Sequence, residues 1–227
     1  MDVEAENAAV DLHDHTYGIT LDPLTQFAVV VSALVHDVDH VGIPNFLLVN
    51  ENQKLGRIYM NKSVAEQNSV AIAWTTLMEP RFNDLRHCLY TDIGELNRFR
   101  QLVVNTVFAT DIFDNELQAL RKNRWEKAFK SKTVEDGKDG ANRKATIVIA
   151  HLIQASDVAH TMQHWHIYQK WNERPFAEMT AAFQTGRSKN DPAPGWYQEG
   201  ELAGLLRQLH HSTCEEASGL WCLRSQL

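Results

Sequence analysis

Phe27-Ala28-Val29-Val30-Val31-Ser32-Ala33-Leu34-Val35-His36-Asp37-Val38-Asp39-His40-Val41-Gly42-Ile43-Pro44-Asn45 is the stretch on which the reading of this chain turns. Phe27, Val30, Val31, Leu34 and Val35 recur at helical spacing. Val29 fills most of the remaining circumference, which predicts a core helix buried all round. Asp22-Pro23 supplies its start, since proline is tolerated in a first turn. The helix then runs straight into His36, Asp37, Asp39 and His40, and Gly42 and Pro44 close it. Burying bare charge is very costly, so a buried helix ending in these groups must pair them or ligate something. Neighbours on a helix point about 100 degrees apart, so His36 and Asp37 reach one ion only where the helix is ending. His40 lies one turn after His36, on the same face.

Imidazole nitrogen with carboxylate oxygen suits zinc, and carboxylate with water suits magnesium or manganese. An EF-hand is a competing metal reading, with Asp37, Asp39 and Gly42 in place. It fails because Val41 and Leu48 stand where oxygen ligands are needed. A capped, hydrogen-bonded helix end with no metal is the remaining alternative.

The 227 residues suffice for one sizeable domain or two small ones, and 44% hydrophobic with 22% charged residues is ordinary for a globular chain. A net charge of −7 gives no attraction for nucleic acid or an anionic membrane surface. An anionic substrate therefore needs local help, such as a bound cation. Cys88, Cys214 and Cys222 are odd in number and lack metal-ligand spacing, which points to a reducing, cytoplasmic compartment. Neither a signal peptide nor an apolar run of membrane-spanning length is found.

The rest of the chain reads as all-α. Residues 1–20 are acidic and then patternless. Ser63-Val64-Ala65-Glu66 has the capping-box form, and Asp92-Ile93-Gly94-Glu95 is a second such start. A stripe through Leu96, Phe99, Val103, Val104, Val107 and Phe108 leads to Thr110-Asp111, and Leu117, Leu120, Trp125 and Phe129 mark a further helix. Residues 131–144 are polar, with two glycines, and read as an exposed loop. Ala145 to Asp157 is a second strongly apolar helix; Thr146 to Ile149 is ambiguous with a strand, but no alternating pattern accompanies it. Met162 to Phe183 is long and aromatic, with a kink expected at Pro175. Residues 191–195 read as a turn, and Leu202, Leu205, Leu206 and Leu209 suggest a last helix.

Asp157 closes its helix as Asp37 does. A carboxylate at a helix C-terminus opposes the dipole, so Asp157 asks for a cation: a basic side chain if alone, a metal if beside His36-Asp37. Asp111 makes the same case more weakly, with Arg121 and Lys122 as ordinary partners. Glu66 divides between the capping box and a role supporting metal ligands. His160, His164 and His166 lack an H-E-x-x-H pattern and read as surface residues. No nucleophilic triad and no glycine-rich phosphate loop is apparent.

His36-Asp37-Val38-Asp39-His40-Val41-Gly42-Ile43-Pro44-Asn45 resembles the H-D-x-x-H-x-G-x-x-N signature of class I cyclic nucleotide phosphodiesterases. Ser63-Val64-Ala65-Glu66 is similar to the family's S-V-L-E segment, Thr110-Asp111 to its T-D motif, and Ser156-Asp157 to its A-D-L-S aspartate. The resemblance implies a compact all-helical catalytic domain over residues 21–200, with an extension or truncated start before it and a divergent tail at 201–227. It further implies zinc beside magnesium or manganese, His36 and Asp157 on the tighter metal, and Asp37 bridging both. A hydroxide between the metals would open the 3′ ester of cyclic AMP or cyclic GMP to give a 5′-nucleotide. His40 and Glu66 would hydrogen-bond the second metal's waters, and Asp111 would support ligands.

The departures from that pattern are specific. No H-N-x-x-H precedes His36, so the family's general-acid histidine and one of its metal ligands are not found. Asn68, Ser69 and Asn115 replace family histidines, and His160 replaces an asparagine that contacts the base. The purine clamp S-Q-x-G-F is echoed only by Gly200-Glu201-Leu202-Ala203-Gly204, which makes Glu201 the substrate-binding candidate. Both ends look cut or altered. The expectations are thus a signalling phosphodiesterase domain, open to fusion with other domains, or an impaired binding and regulatory relative. A third is an H-D phosphohydrolase for another ester.

Overall fold

The structure is a computed structural model that describes residues 15–130 and 138–187. Among those residues every regular element is helical. A 3₁₀ turn, Ile19–Leu21, leads into α1 (Pro23–Val35), followed by α2 (Asn45–Glu51), α3 (Gln53–Ile58) and α4 (Val64–Leu77). A second 3₁₀ turn, Pro80–Phe82, precedes α5 (Asn83–Leu89), α6 (Ile93–Phe108) and α7 (Asn115–Trp125). A π-helical turn, Glu126–Lys130, comes before α8 (Lys138–Asp157); the 3₁₀ turn Ala159–Met162 then leads to α9 (Trp165–Gln184).

Local chemistry explains the starts. Asp22 accepts the Thr25 N–H with Pro23 in the first turn of α1. Asp92 Oδ1 accepts the amides of Gly94 (2.7 Å) and Glu95 (2.9 Å) at α6. Ser63 is different. It sits in the left-handed region at φ 38 and makes no side-chain cap bond, so the expected capping box does not form. Its hydroxyl is used elsewhere, as shown below. Thr146 to Ile149 lies inside α8, so the helical reading holds there. That helix already begins at Lys138, however, and the expected loop is helical over residues 138–144. Polar residues and a glycine lower helix propensity, but the packed apolar run from Ile147 carries the helix back through them. Pro175 sits inside α9 without ending it.

Two apolar clusters organise the packing. Ala28, Phe99, Val103 and Val107 join α1 to α6, with Val70 and Trp74 of α4 at the margin. Ile43, Leu47, Leu48, Val64, Ala65 and Ala182 join α2, α4 and α9. The turn from His36 to Asn45 runs from the first cluster to the second.

The burial of α1 corrects the expectation of a helix buried all round. Its inner face is Thr25, Ala28 and Ser32, whereas Val30 is 66% and Leu34 80% exposed. Small side chains let α1 approach α6 closely, and Ser32 Oγ donates to the Ala28 carbonyl at 2.7 Å, which satisfies that buried hydroxyl. Hydropathy alone does not choose between two apolar faces; packing against Phe99 and Val103 does. No described helix is long and apolar enough to cross a membrane.

Candidate metal centre

His36 stands where α1 gives way to a turn. Its Nδ1 lies 3.0 Å from the Ala33 carbonyl, which can only accept, so Nδ1 carries a proton. The outward nitrogen, Nε2, lies 3.2 Å from Asp37 Oδ2 and 3.2 Å from Asp157 Oδ1. Asp157 arrives from the end of α8, so the carboxylate that opposes a helix dipole meets its cation partner in His36. The three ligand atoms fall within 4.8 Å of one another. Donors about 2.1 Å from a tetrahedral ion stand roughly 3.4 Å apart, and the two 3.2 Å separations are close to that edge. Nitrogen and oxygen donors in this arrangement fit zinc or a similar divalent cation.

With only protons to balance the charge, the hydrogen bonds that His36 donates to Asp157 and then Asp37 push its pKa up to about 10. The same contact to His36 lowers Asp37, against its partial burial. The cluster thus demands positive charge at its centre, as imidazolium or as metal.

His40 is exposed and turned differently. The Gly42 amide donates to His40 Nδ1 at 3.2 Å, which leaves the proton of the neutral ring on Nε2. Gly42 has φ +70, and a Cβ there would lie 2.5 Å from Glu178 Cγ, so α9 presses on this turn from outside. Arg187 adds a clamp after α9, donating to Glu51 at 2.7 Å and to the Val41 carbonyl at 3.5 Å.

Glu66 and Asp111 form a second group. Asn45 Nδ2 donates to Glu66 Oε2 at 2.9 Å and to Asp111 Oδ2 at 3.4 Å. Burial raises the Glu66 carboxyl, and the charge of Asp111 adds to the shift while His40 opposes it. Asp111 is 5% exposed and accepts from Ser63 Oγ at 2.7 Å and from the amides of Phe113 and Asp114. The ordinary partner expected for Asp111, Arg121, instead donates to the backbone carbonyls of Asp111 (3.0 Å) and Phe108 (2.8 Å).

Of the sequence candidates, His36, Asp37 and Asp157 come together, with His40, Glu66 and Asp111 in the adjoining polar region. Glu201 lies outside the described residues, as do the 191–195 turn and the leucines after it. His160 touches the site only through its Nδ1, 3.3 Å from the Asp157 carbonyl, and stacks on Tyr168. His164 stacks on His166, and both are exposed. Asn68 donates to Asp39 at 3.0 Å and Ser69 to the Val38 carbonyl at 2.7 Å, tying α4 to the motif turn. Sequence reasoning missed Ser63, Ser69 and Glu178 as site-building residues. Asn45 and Ser63 did carry a signal, their places in the two motifs.

Comparison with known proteins agrees with the geometry. A family model described as 3′5′-cyclic nucleotide phosphodiesterase matches residues 8–194. A probable 3′,5′-cyclic phosphodiesterase of Caenorhabditis elegans is 28% identical over 155 residues, covering 68% of this chain and 21% of that protein. A probable 3′,5′-cyclic-AMP phosphodiesterase of the same organism is 27% identical over 164 residues, 68% of this chain and 23% of the relative. The chain therefore spans about a fifth of the length of these curated relatives. Among solved structures, the phosphodiesterase domain of Salpingoeca rosetta rhodopsin phosphodiesterase superposes with a TM-score of 0.62 at 21% identity. That match covers 82% of this chain and 57% of the other, and at such identity it speaks for the fold. An all-α architecture and a family match over most of the sequence lead to one conclusion: the chain belongs to the 3′,5′-cyclic nucleotide phosphodiesterase family.

Proposed function

We propose that this domain hydrolyses 3′,5′-cyclic nucleotides to 5′-nucleotides in signal transduction, using divalent cations. The observation that carries the reading is the convergence of His36 Nε2, Asp37 Oδ2 and Asp157 Oδ1 from segments more than a hundred residues apart. Zinc with magnesium or manganese is the assignment, and such ions supply Lewis-acid charge for the cyclic phosphate and a nucleophilic water at neutral pH. His36 and Asp157 would hold the tighter cation, and Asp37, 64% exposed, would offer a carboxylate oxygen to a second. Glu66, His40 and Asp111 would orient water around that second position. The ions also offset a net charge of −7, which otherwise repels a phosphate anion.

A second reading is binding without turnover. It is favoured by a cluster of only three donors among the described residues. One experiment separates the readings: measure zinc in the purified chain, then assay cyclic AMP and cyclic GMP with magnesium or manganese. Hydrolysis supports the first reading. Bound zinc and bound nucleotide without hydrolysis support the second, and cleavage of other phosphate esters alone points to a different H-D phosphohydrolase. Asp157→Ala should abolish tight zinc binding; unchanged zinc content would remove the site assignment.

The setting proposed is cytoplasmic, within a longer signalling protein. It is supported by the free, exposed Cys88 and by the similarity to solved phosphodiesterase domains of a rhodopsin phosphodiesterase and of a fusion protein.

A further inference from the structure

Asn45, the first residue of α2, bonds both to α4 and to the turn after α6. Its Oδ1 accepts the Ala65 N–H at 2.8 Å, at the start of α4, and that bond fixes which way the amide faces. The Nδ2 end is therefore turned to Glu66 Oε2 (2.9 Å) and Asp111 Oδ2 (3.4 Å). Among the described residues, Asn45 is the side chain that hydrogen-bonds to both carboxylates. Arg121 directs its guanidinium hydrogen bonds to two backbone carbonyls; its charge acts on Asp111 and Glu66 from beside them, and their hydrogen bonds come from neutral donors. Ser63 and the amides of Phe113 and Asp114 supply further neutral donors to Asp111.

Neutral donors matter here. A guanidinium between Glu66 and Asp111 would cancel their charge and compete with a cation for them. Amide groups and a hydroxyl hold the carboxylates in place without putting a charged donor between them. We propose that Asn45 is a positioning residue for the second cation: it sets the separation and aim of Glu66 and Asp111 without neutralising them. The inference rests on the two-cation reading given under Proposed function.

The test uses the full chain loaded with zinc and titrated with manganese, followed by electron paramagnetic resonance of the free ion. Asn45→Ala removes all three hydrogen bonds. Asn45→Ser keeps an oxygen acceptor near the Ala65 amide but is too short to span both carboxylates, so it guards against simple misfolding. Groups that orient metal ligands typically change affinity by about 10- to 100-fold when removed. Both variants should therefore bind manganese at least about 10-fold more weakly than the parent, with zinc content unchanged. Manganese affinity within about twofold of the parent in Asn45→Ser overturns the proposal. So does parallel loss of zinc in both variants, because that marks a general structural role. If the parent chain binds zinc but no manganese, the two-cation reading itself fails, and the result is visible before any variant is made.

Discussion

Ser63 Oγ donates to Asp111 Oδ2 at 2.7 Å across 48 residues of sequence, from a backbone held in the left-handed region at φ 38. A non-glycine residue there is strained by about 1–2 kcal/mol, and the helix cap that serine would otherwise provide is given up. The compensation is a buried carboxylate that is fully held.

Two substitutions at Ser63 should therefore differ in a specific way. Ser63→Ala keeps the strain and deprives Asp111 of its shortest bond, which costs about 1–3 kcal/mol. Ser63→Gly loses the same bond but relaxes the backbone, and should recover about 1 kcal/mol of that loss. Urea unfolding of both variants measures the difference; equal stability would mean that the strain is not significant.

Zinc binding should release a proton. Held near 10 by Asp157 and Asp37, His36 is protonated at neutral pH in the cation-free protein and must lose that proton to ligate. Calorimetry in buffers of different ionisation enthalpy should show about one proton released per zinc at pH 7. Apparent affinity should rise about tenfold per pH unit until pH approaches 10, then level off.

The same contact sets how the cation-free fold responds to pH. His36 is raised from 6.5, so its contribution is complete below that value and is lost as pH rises toward 10. Asp37 is lowered from 3.8, so its contribution is present above that value and is lost as pH falls through its depressed pKa. Together they favour the fold most between about pH 4 and 6.5. Chelator-treated protein melted across this range checks the shape, and saturating zinc should shift the optimum upward.

Gly42→Ala tests the pressure of α9 on the motif turn. The left-handed φ costs about 1–2 kcal/mol for alanine, and the new Cβ meets Glu178 Cγ. Adding Glu178→Ala should return the steric part and leave the backbone part, a coupling read from a double-mutant cycle. Strict additivity would mean that the two side chains do not meet.

The corrected burial of α1 is equally checkable. Leu34→Lys, at a position 80% exposed, should change stability by no more than about 0.5 kcal/mol. Ala28→Leu, at a position with no exposure, should cost about 1–3 kcal/mol by overpacking against α6. Melting temperatures of the two variants would show the contrast directly.

What could be read from the sequence follows from what is local. An apolar helix ending in His36-Asp37, and a second one ending in Asp157, announce themselves because ionisable groups at such places need partners. The helical class was legible for the same reason, from periodicity in Leu96 to Phe108 and Met162 to Phe183. The face that α1 buries was not legible, because Val30 and Ala28 are both apolar and only the shape of α6 decides between them. The role of Ser63 was hidden by a plausible local alternative, the capping box, which lost to a partner 48 residues away. The contact of Glu178 with Gly42 is likewise long-range, and nothing in either residue's neighbourhood marks it.

The distance along the chain between His36 and Asp157 has a mechanical consequence. An ion gripping both closes a loop of 121 residues, and so acts as a reversible cross-link between the two halves of the domain. By chain-entropy arguments a covalent link over about 100 residues stabilises a fold by roughly 4.7 kcal/mol, and clips that close long loops gain the most. A cation held there would be part of the architecture, and a chelator would act on this domain much as a reductant acts on a disulfide-stapled one.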